Sequence, residues 1–338
     1  MEHTYDALVF GEPLIRFSPA GGCRLQDGGA LSRYAGGAEL NVAAGLAQLG
    51  AKSAYCTKLP DHALSRFLLG QAKARGVSLD SVIFDRRPEA RLGVYYYEGA
   101  HAPARPSVVY DRKNTSVTSI VPEEIPEGIF DRARLFHTTG ITLGIGRGPR
   151  ETAVEMIHRF RENGAKISFD INYRANLWTD QEEREAVEPL LPLLDILFIS
   201  EESLRRMFGR TGDLPVMMRA FAREYDISYL LSTIRTVRSP IRHEFTSMVY
   251  DRETDHFYTE APYEIEVLDR IGSGDAFVAG ALSGLLCADG SPELAMRRGN
   301  AMAALKCGIA GDLPSVTLTE LERIMEWHAA GSKGEMER

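Results

Sequence analysis

The sequence predicts an α/β fold: a doubly wound, mainly parallel sheet with helices on both faces, accompanied by a small β-sheet. Two observations lead to this prediction. Short apolar runs alternate with helical segments of about ten to fifteen residues, which is typical of a parallel sheet covered on both faces. Two further stretches break the alternation and carry shorter strand-like pieces, so we assign them to a separate sheet.

The alternating part supplies the strands and helices of the main sheet. Strand-like apolar runs lie at residues 5–10, 53–59, 133–141, 165–171, 195–200 and 227–233. Helical patterns lie at residues 38–50, 61–75 and 151–164, and a further one follows Thr179. Gly50 and Gly76 mark the ends of the first two helices, in agreement with the preference for glycine at helix C-termini.

The two interrupting stretches are residues 14–35, rich in glycine and polar side chains, and residues 91–118, which contain RLGVYYYE and SVVYDR. We expect them to form a β-sheet lid that projects from the main domain. Two ordinary surface loops are the alternative. The main domain then comprises residues 1–13, 36–90 and 119–330, and residues 331–338 form a frayed tail.

The composition indicates a protein that acts on small molecules. The 338 residues carry a net charge of -8, which gives no basic footprint for nucleic acid or an anionic membrane surface. Residues 190–199 form the longest apolar run, which is too short for a membrane span. The N-terminal segment has no basic stretch leading into an apolar run, and the four cysteines have no metal-like spacing. We therefore expect a cytoplasmic protein without nucleic-acid or membrane partners.

The stretch DRIGSGDAFVAG, residues 269–280, combines two glycines and a carboxylate at the start of a predicted helix. Gly272 and Gly274 would let the backbone approach a ligand, and the amides from Gly272 to Asp275, including that of Ser273, would form an anion hole. Asp275 would then accept a hydroxyl proton while charge develops on a phosphoryl group. Simple capping of the helix by Asp275 explains the motif alone equally well.

Two stretches of the chain resemble the signatures of the ribokinase-like, PfkB-type carbohydrate kinases. YAGGAELNVAAGLAQLG, from Tyr34, is similar to the first signature of that family, and DRIGSGDAFVAGAL is similar to the second. The resemblance implies a ribokinase-like fold, a catalytic base at Asp275 with an anion hole before it, and sugar contacts from Gly36, Gly37 and Asn41. A helix entry with a tight turn is the alternative for the glycines, although an asparagine inside a helix is unfavourable without a partner.

The resemblance to that family covers nearly the whole chain, and one branch of the family, the 2-keto-3-deoxygluconate kinases, fits best. The matching stretches are FGE at residues 10–12, LGVYYYE, VVYDR, DINYRANLW from Asp170, and ALKCGIAGDLPSVT from Ala304. Ribokinases and fructokinases lack several of these together. The resemblance therefore implies a sugar acid as the substrate.

A ketodeoxy sugar acid needs a cation for its carboxylate at one end and a base with an anion hole at the other. Arg112 and Arg174 are candidates for the cation, because a guanidinium group binds a carboxylate through two hydrogen bonds. The resemblance maps the branch's Tyr-x-Arg onto Tyr110 and Arg112, and its lid tyrosine onto Tyr95. Strand alternation would place Tyr95 and Tyr97 on one face of the lid. Surface arginines and strand tyrosines that only pack are the alternative.

The nucleotide side of the site rests on the resemblance alone. It implies that Ser232 and Thr233 lie near the phosphates of ATP and that Asn300 borders the adenine. A serine and a threonine that end a strand are as often turn formers, so this alternative stays open.

The stretch SEES, residues 200–203, departs from the family pattern, which carries Asn-x-x-Glu near the metal and phosphates. Glu201 and Glu202 remain close by and would hold Mg²⁺ through water, since this ion keeps several waters when it binds to protein. An N-cap followed by an acidic first turn is the alternative.

We expect an ATP- and Mg²⁺-dependent kinase that phosphorylates the 6-hydroxyl of 2-keto-3-deoxygluconate or a closely related sugar acid. Two alternatives stay open: a kinase of a neutral sugar or nucleoside, and a kinase-like protein that binds a sugar acid without turnover. The departure at SEES motivates the second of these. A lid sheet with an open face favours pairing between subunits, so a homodimer is expected.

Overall fold

The structure is a computed structural model that describes residues 3–21, 23–99 and 105–331. The predicted tail falls outside these ranges apart from Gly331, as do residues 22 and 100–104 of the predicted lid. No helix within the described ranges is long and apolar enough to cross a membrane.

Strands and helices follow one another in the order that the alternation predicts. The strands of the described ranges are β1 (Tyr5–Phe10), β2 (Leu14–Pro19), β3 (Leu31–Gly36), β4 (Ser53–Pro60), β5 (Val82–Asp85), β6 (Gly93–Glu98), β7 (Ser107–Asp111), β8 (Ala133–Thr139), β9 (Lys166–Asp170), β10 (Ile196–Phe198), β11 (Tyr229–Ser239), β12 (Arg242–Asp251), β13 (His256–Thr259) and β14 (Tyr263–Glu266). The helices there are α1 (Ala38–Gln48), α2 (Ala63–Ala74), α3 (Gly140–Gly144), α4 (Arg147–Glu162), α5 (Asp180–Val187), α6 (Glu201–Arg206), α7 (Leu214–Glu224), α8 (Ser273–Leu286), α9 (Pro292–Cys307) and α10 (Leu318–Ala329).

A ten-stranded sheet forms the centre of the described part of the chain. Neighbouring strands run parallel in the order β5-β4-β1-β8-β9-β10-β11, and β12, β13 and β14 add antiparallel pairs beyond β11. Every residue of β4 is buried, as expected for a central strand with helices on both faces. The predicted doubly wound, mainly parallel sheet is therefore confirmed.

Two hydrophobic clusters cover the two faces of this sheet. On one face, α1, α8 and α9 bury side chains such as Leu40, Phe277 and Met302. On the other face, α4 and α7 bury Phe160 and Phe221. Within β1, Ala7 and Val9 belong to the first cluster and Leu8 and Phe10 to the second, so successive side chains point to opposite faces of the sheet.

The second sheet contains four strands within the described ranges, in the order β3-β2-β6-β7. Strand β2 pairs in parallel with β6 and antiparallel with β3, and β6 pairs antiparallel with β7. These strands lie in the two interrupting stretches of the sequence, except that β3 ends one residue later, at Gly36. The separate small sheet is confirmed, whereas its action as a lid and the division of the chain into domains stay predictions.

A buried arginine fastens the small sheet to the main sheet's helices. Arg16 lies on β2 with 1% of its side chain exposed, between Asp269, which precedes α8, and Asp312, which follows α9. Its guanidinium group forms ion pairs with Asp269 Oδ2 at 2.5 Å and with Asp312 Oδ1 at 3.1 Å. Burial alone would lower the pKa of Arg16, but the hydrogen bond to Asp269 and the charge of Asp312 raise it instead. Strand β2 is thereby held against the segments before α8 and after α9.

Arg16→Ala should lower the free energy of unfolding by about 3–5 kcal/mol, because it leaves two largely buried carboxylates without their counter-charge. Arg66→Ala is the matched control, since Arg66 and Asp61 form a pair in which 65% and 50% of the side chains are exposed. Such exposed pairs contribute about 0–1 kcal/mol. Urea unfolding followed by circular dichroism measures both variants. A loss for Arg16→Ala as small as that of the control would contradict the structural role of the buried pairs.

Candidate active site

Two cavities, of 400 and 410 Å³, adjoin at the carboxyl ends of β9 and β10. Tyr95 and Tyr110 line the first together with Asp275, and we call it the small-sheet cavity. Glu202 of α6 lines the second, which we call the α6 cavity. Gly274 lines both, so the start of α8 stands where the two cavities meet. The residues common to both linings are Asp170, Asn172, Arg174, Arg235 and Gly274.

Helix α8 begins at Ser273, and the residue before it, Gly272, has a left-handed backbone with φ 82°. A Cβ atom on Gly272 would also overlap the backbone of the segment after α9, so only glycine fits here. The Ser273 amide donates to the Arg270 carbonyl at 3.2 Å. The amides of Gly272, Gly274 and Asp275 have no acceptor among the described residues, so three of the four predicted amides are available to an anion.

The Asp275 carboxylate is half-buried in the first turn of α8 and faces α1. Gly37 and Asn41 line the same cavity, and Asn41 Nδ2 donates to Asp275 Oδ2 at 2.6 Å. Loss of hydration raises the pKa of Asp275, while the Asn41 bond and the charges of Arg174 and Lys306 oppose this rise. The carboxylate is therefore fixed in orientation and is a better proton acceptor than an exposed aspartate. The buried Asn41 Oδ1 has no donor among the described residues and is available to a ligand hydroxyl.

The small sheet brings three predicted residues to the other end of its cavity. Tyr95 and Tyr110 stack with 5.5 Å between their ring centroids, and the Tyr95 hydroxyl donates to the Asp312 carboxylate. Arg112 forms an ion pair with the buried carboxylate of Glu12, while its Nε is buried without an acceptor among the described residues. The charge of Arg112 is thus shared with Glu12, to which the sequence assigned no role.

Two further carboxylates line the small-sheet cavity and were not predicted from the sequence: Glu39, which is buried, and Asp170, which is half-buried. Thr139 and Thr142 each donate a hydroxyl to Glu39 Oε1 at 2.6 Å. Burial raises the pKa of Glu39 to about 7, and burial together with the charge of Asp275 raises that of Asp170 to about 7. Both acids lie within motifs that carry the family resemblance, GGAELN and DINYR. They were not predicted as site residues, because an acid in the first turn of a helix or at a strand end is common without any ligand.

The predicted phosphate and adenine contacts separate in the structure. Thr233 lines the α6 cavity, whereas Ser232 is buried and, by strand alternation, lies on the opposite face of β11. Asn300 is buried on α9, where it donates to Glu260 at 2.7 Å. Neither Ser232 nor Asn300 lines either of the two cavities. Their roles toward a nucleotide stay predictions, as does that of Gly36 toward the sugar.

The SEES stretch caps helix α6, in agreement with the simpler alternative. The Ser203 amide donates to the Ser200 hydroxyl at 3.0 Å, and Glu201 and Glu202 each pair with the arginine four residues later, at 2.6 and 2.7 Å. Glu202 lines the α6 cavity and Glu201 does not. Within the described ranges, no group of three or more His, Cys, Asp or Glu side chains could hold a metal ion. A role of the two glutamates toward Mg²⁺ stays a prediction.

An oriented carboxylate beside free helix amides, at the carboxyl ends of the strands of a doubly wound sheet, is suited to phosphoryl transfer to a hydroxyl group. The family described as pfkB family carbohydrate kinase matches residues 6–317. The chain belongs to this family, so the predicted resemblance and the enzyme class, carbohydrate kinase, are both confirmed.

Individual relatives match along nearly the whole chain. The sequence is 36% identical to a 2-dehydro-3-deoxygalactonokinase of Haloferax volcanii, over 97% of this chain and 99% of that protein. It is 30% identical to a 2-dehydro-3-deoxygluconokinase of Bacillus subtilis, over 93% of each. The crystal structure of 2-dehydro-3-deoxygluconokinase from Thermotoga maritima superposes with a TM-score of 0.90 at 28% identity, over 95% of this chain and 99% of that one.

The two glycines at the start of α8 should respond differently to alanine. Gly272→Ala should lower the thermal midpoint, because the new Cβ would overlap backbone and a left-handed conformation costs a non-glycine residue about 1–2 kcal/mol. Gly274→Ala should keep the midpoint, because a Cβ there meets no protein atom within 4 Å and alanine favours a helix. Its methyl group would instead enter the junction of the cavities and lower kinase activity about tenfold or more.

Thermal unfolding and steady-state rates measured on both variants check this expectation. Equal loss of stability in the two variants would contradict the structure, in which a Cβ atom has room at position 274 but not at position 272.

Proposed function

We propose that this chain is an ATP-dependent kinase that transfers the γ-phosphoryl group to the 6-hydroxyl of 2-keto-3-deoxygluconate or a closely related sugar acid. The observation that carries the proposal is the Asp275 carboxylate, held by Asn41 where the two cavities meet and beside unpaired amides of α8. Each cavity has the volume expected of a small-molecule site. The names of the relatives support a ketodeoxy sugar acid as the substrate.

In this proposal the sugar acid lies in the small-sheet cavity, with its carboxylate toward Arg112 and its terminal hydroxyl toward Asp275. The unpartnered Arg112 Nε and Asn41 Oδ1 fit a ligand of this kind, because buried polar atoms without partners are costly unless a ligand satisfies them. Arg174 lines both cavities and would contact the substrate from the junction. Tyr95 and its stacking partner would cover the sugar from the small sheet.

Asp275 accepts the proton of the terminal hydroxyl as that oxygen bonds to phosphorus. The amides of Gly272, Gly274 and Asp275 donate hydrogen bonds to the transferring phosphoryl group, on whose oxygens negative charge develops. The positive end of the α8 dipole acts in the same direction. Bound ATP supplies the phosphoryl group, and Mg²⁺ on its phosphates offsets part of their charge.

The α6 cavity fits a magnesium nucleotide whose metal is held mainly by phosphates and water. Asp170, Asp180 and Glu202 line it, but they do not gather into a site with several direct carboxylate ligands. Mg²⁺ keeps several waters in such nucleotide sites, so Glu202 would act on it through water. The Thr233 hydroxyl is placed in the same cavity and would contact the phosphates.

The small sheet would act as the lid of this site and as the contact between two subunits. Its edge strand β7 exposes Val108 and Val109, by 41% and 56%, and an unpaired apolar edge favours strand pairing with a second copy. Closure over the sugar would exclude water and suppress hydrolysis of ATP. A homodimer in the cytoplasm, without nucleic-acid or membrane partners, is part of the proposal.

A coupled ADP-release assay over a panel of sugars tests the function. We expect turnover with 2-keto-3-deoxygluconate or its galactonate epimer, and Asp275→Asn should reduce kcat by about 100- to 10,000-fold, because the general base is lost while the shape is kept. Asp213→Asn, at an exposed helix end away from both cavities, is the matched control. If no sugar gave ADP release above the background of Asp275→Asn, the proposal would fail.

Arg112→Gln separates a sugar-acid kinase from a kinase of neutral sugars or nucleosides. It should raise KM for the sugar acid about 10- to 100-fold, because a charge-assisted hydrogen bond contributes about 1.5–3 kcal/mol, and change KM for a neutral ketose much less. Arg91→Gln, which removes an exposed pair with Asp111 at the same sheet, serves as the control. Equal effects on acidic and neutral sugars would favour the neutral-sugar alternative.

A further inference from the structure

Three guanidinium groups converge where the two cavities meet. Arg174 and Arg235 line both cavities, and Arg270 lines the small-sheet cavity, which Gly274 lines as well. None of the three forms an ion pair with an acidic side chain of the described ranges. Of the other charged residues that line the small-sheet cavity, Arg112 pairs with Glu12 and Asp312 pairs with Arg16. Three arginines without an ion-pair partner among the described residues therefore line the cavity that Gly272 and Gly274 also line, together with the carboxylates of Glu39, Asp170 and Asp275.

Strand geometry directs Arg235 into this junction. Leu231, Thr233 and Arg235 follow one another at every second position of β11, and all three line the α6 cavity. Arg235 stands opposite Phe245 on β12, whose ring packs edge-on against Phe277 of α8, with 6.0 Å between centroids. The strand that carries Arg235 is thereby fixed against the helix that carries the anion hole.

Backbone contacts fix Arg270 on the other side of the junction. Its carbonyl accepts the Ser273 amide at 3.2 Å, and the carboxylate of the preceding residue, Asp269, is held by Arg16 at 2.5 Å. The charges of the two arginines interact. Loss of hydration and the charge of Arg270 both lower the pKa of Arg235. Burial and the same two charges lower the pKa of His243 nearby. Like charges held together in this way favour the binding of an anion.

We propose that Arg235 and Arg270 bind the phosphates of the nucleotide and stabilise the phosphoryl group during its transfer. This inference rests on the proposed function. In the step, the bond from the β–γ bridging oxygen to the γ-phosphorus breaks, the bond from the sugar oxygen forms, and the hydroxyl proton goes to Asp275. Guanidinium groups bind phosphate oxygens through two hydrogen bonds and supply charge where it develops.

The SEES stretch gives the two arginines a particular importance in this chain. Glu201 and Glu202, which replace the family's acidic motif, are each neutralised by an arginine on their own helix. The α6 side therefore offers little help in ordering a metal ion on the phosphates. Direct neutralisation of the phosphates by Arg235 and Arg270 would supply this positive charge at the junction of the two cavities, since Arg235 lines both cavities and Arg270 lines the small-sheet cavity.

The kinetic test uses Arg235→Gln, Arg270→Gln and a matched control in the ADP-release assay. Arg238→Gln is the control, because Arg238 lies on the same strand outside both cavities and pairs with Glu244 at 2.8 Å. Each of the two test variants should lower kcat/KM for ATP about 10- to 1,000-fold and leave KM for the sugar within about twofold, with an unchanged thermal midpoint. Variants that match the control, or that raise only KM for the sugar, would overturn the assignment.

A binding measurement separates this inference from the function on which it rests. Inorganic tripolyphosphate is titrated calorimetrically into the full chain and into the Arg235→Gln/Arg270→Gln double variant. We expect the double variant to bind about tenfold or more weaker, and the affinity of the unmodified chain to fall with added salt. Absence of turnover with every sugar would refute the sugar-kinase proposal alone. Equal tripolyphosphate binding by both proteins would refute the phosphate role of the two arginines.

Discussion

The buried ion pair between Arg16 and Asp269 is the interaction on which the geometry of the site depends. Asp269 accepts hydrogen bonds from Arg16 and from the amides of Ile271 and Gly311, so one carboxylate joins the small sheet, the start of α8 and the segment after α9. Lys306 donates to the Asp269 carbonyl at 3.3 Å and ties the end of α9 to the same point. The small sheet, the start of α8 and the end of α9 with the segment after it are thus all held by polar contacts to Asp269.

Asp312 extends this arrangement to the small-sheet cavity. Its carboxylate pairs with Arg16 and accepts the Tyr95 hydroxyl, while its carbonyl leaves no space for a side chain at Gly272. Burial raises the pKa of Asp312 to about 6, although the charge of Arg16 and the Tyr95 bond oppose this rise. The position of Tyr95 in the small-sheet cavity and the shape of the turn that exposes the α8 amides therefore have a common support.

Features with a strong local signal could be predicted from the sequence. Alternating apolar runs predicted the parallel sheet, and the Gly-Ser-Gly-Asp turn predicted the helix start with its carboxylate. Ser232 and Thr233 were both predicted near the phosphates, although strand alternation places them on opposite faces of β11. The pairings across the fold could not be predicted. Glu12 meets Arg112 across 100 residues, and Arg16 meets Asp269 across 253. Such partners depend on how the two sheets dock, and no periodicity within a single segment encodes that.

Under the proposed function, the pair formed by Glu12 and Arg112 affects how the substrate preference of this chain could be re-engineered. Burial raises the pKa of Glu12 against the opposing effect of Arg112, so replacing the arginine alone leaves an acid that takes up a proton more readily and stays in the pocket as a polar group. Replacing both residues together removes two charges at once and avoids an isolated buried one. A mutant library for neutral substrates should therefore vary positions 12 and 112 jointly. In single-site libraries, variants that leave one buried charge unpaired would be lost through instability before their activity on a new sugar could be selected.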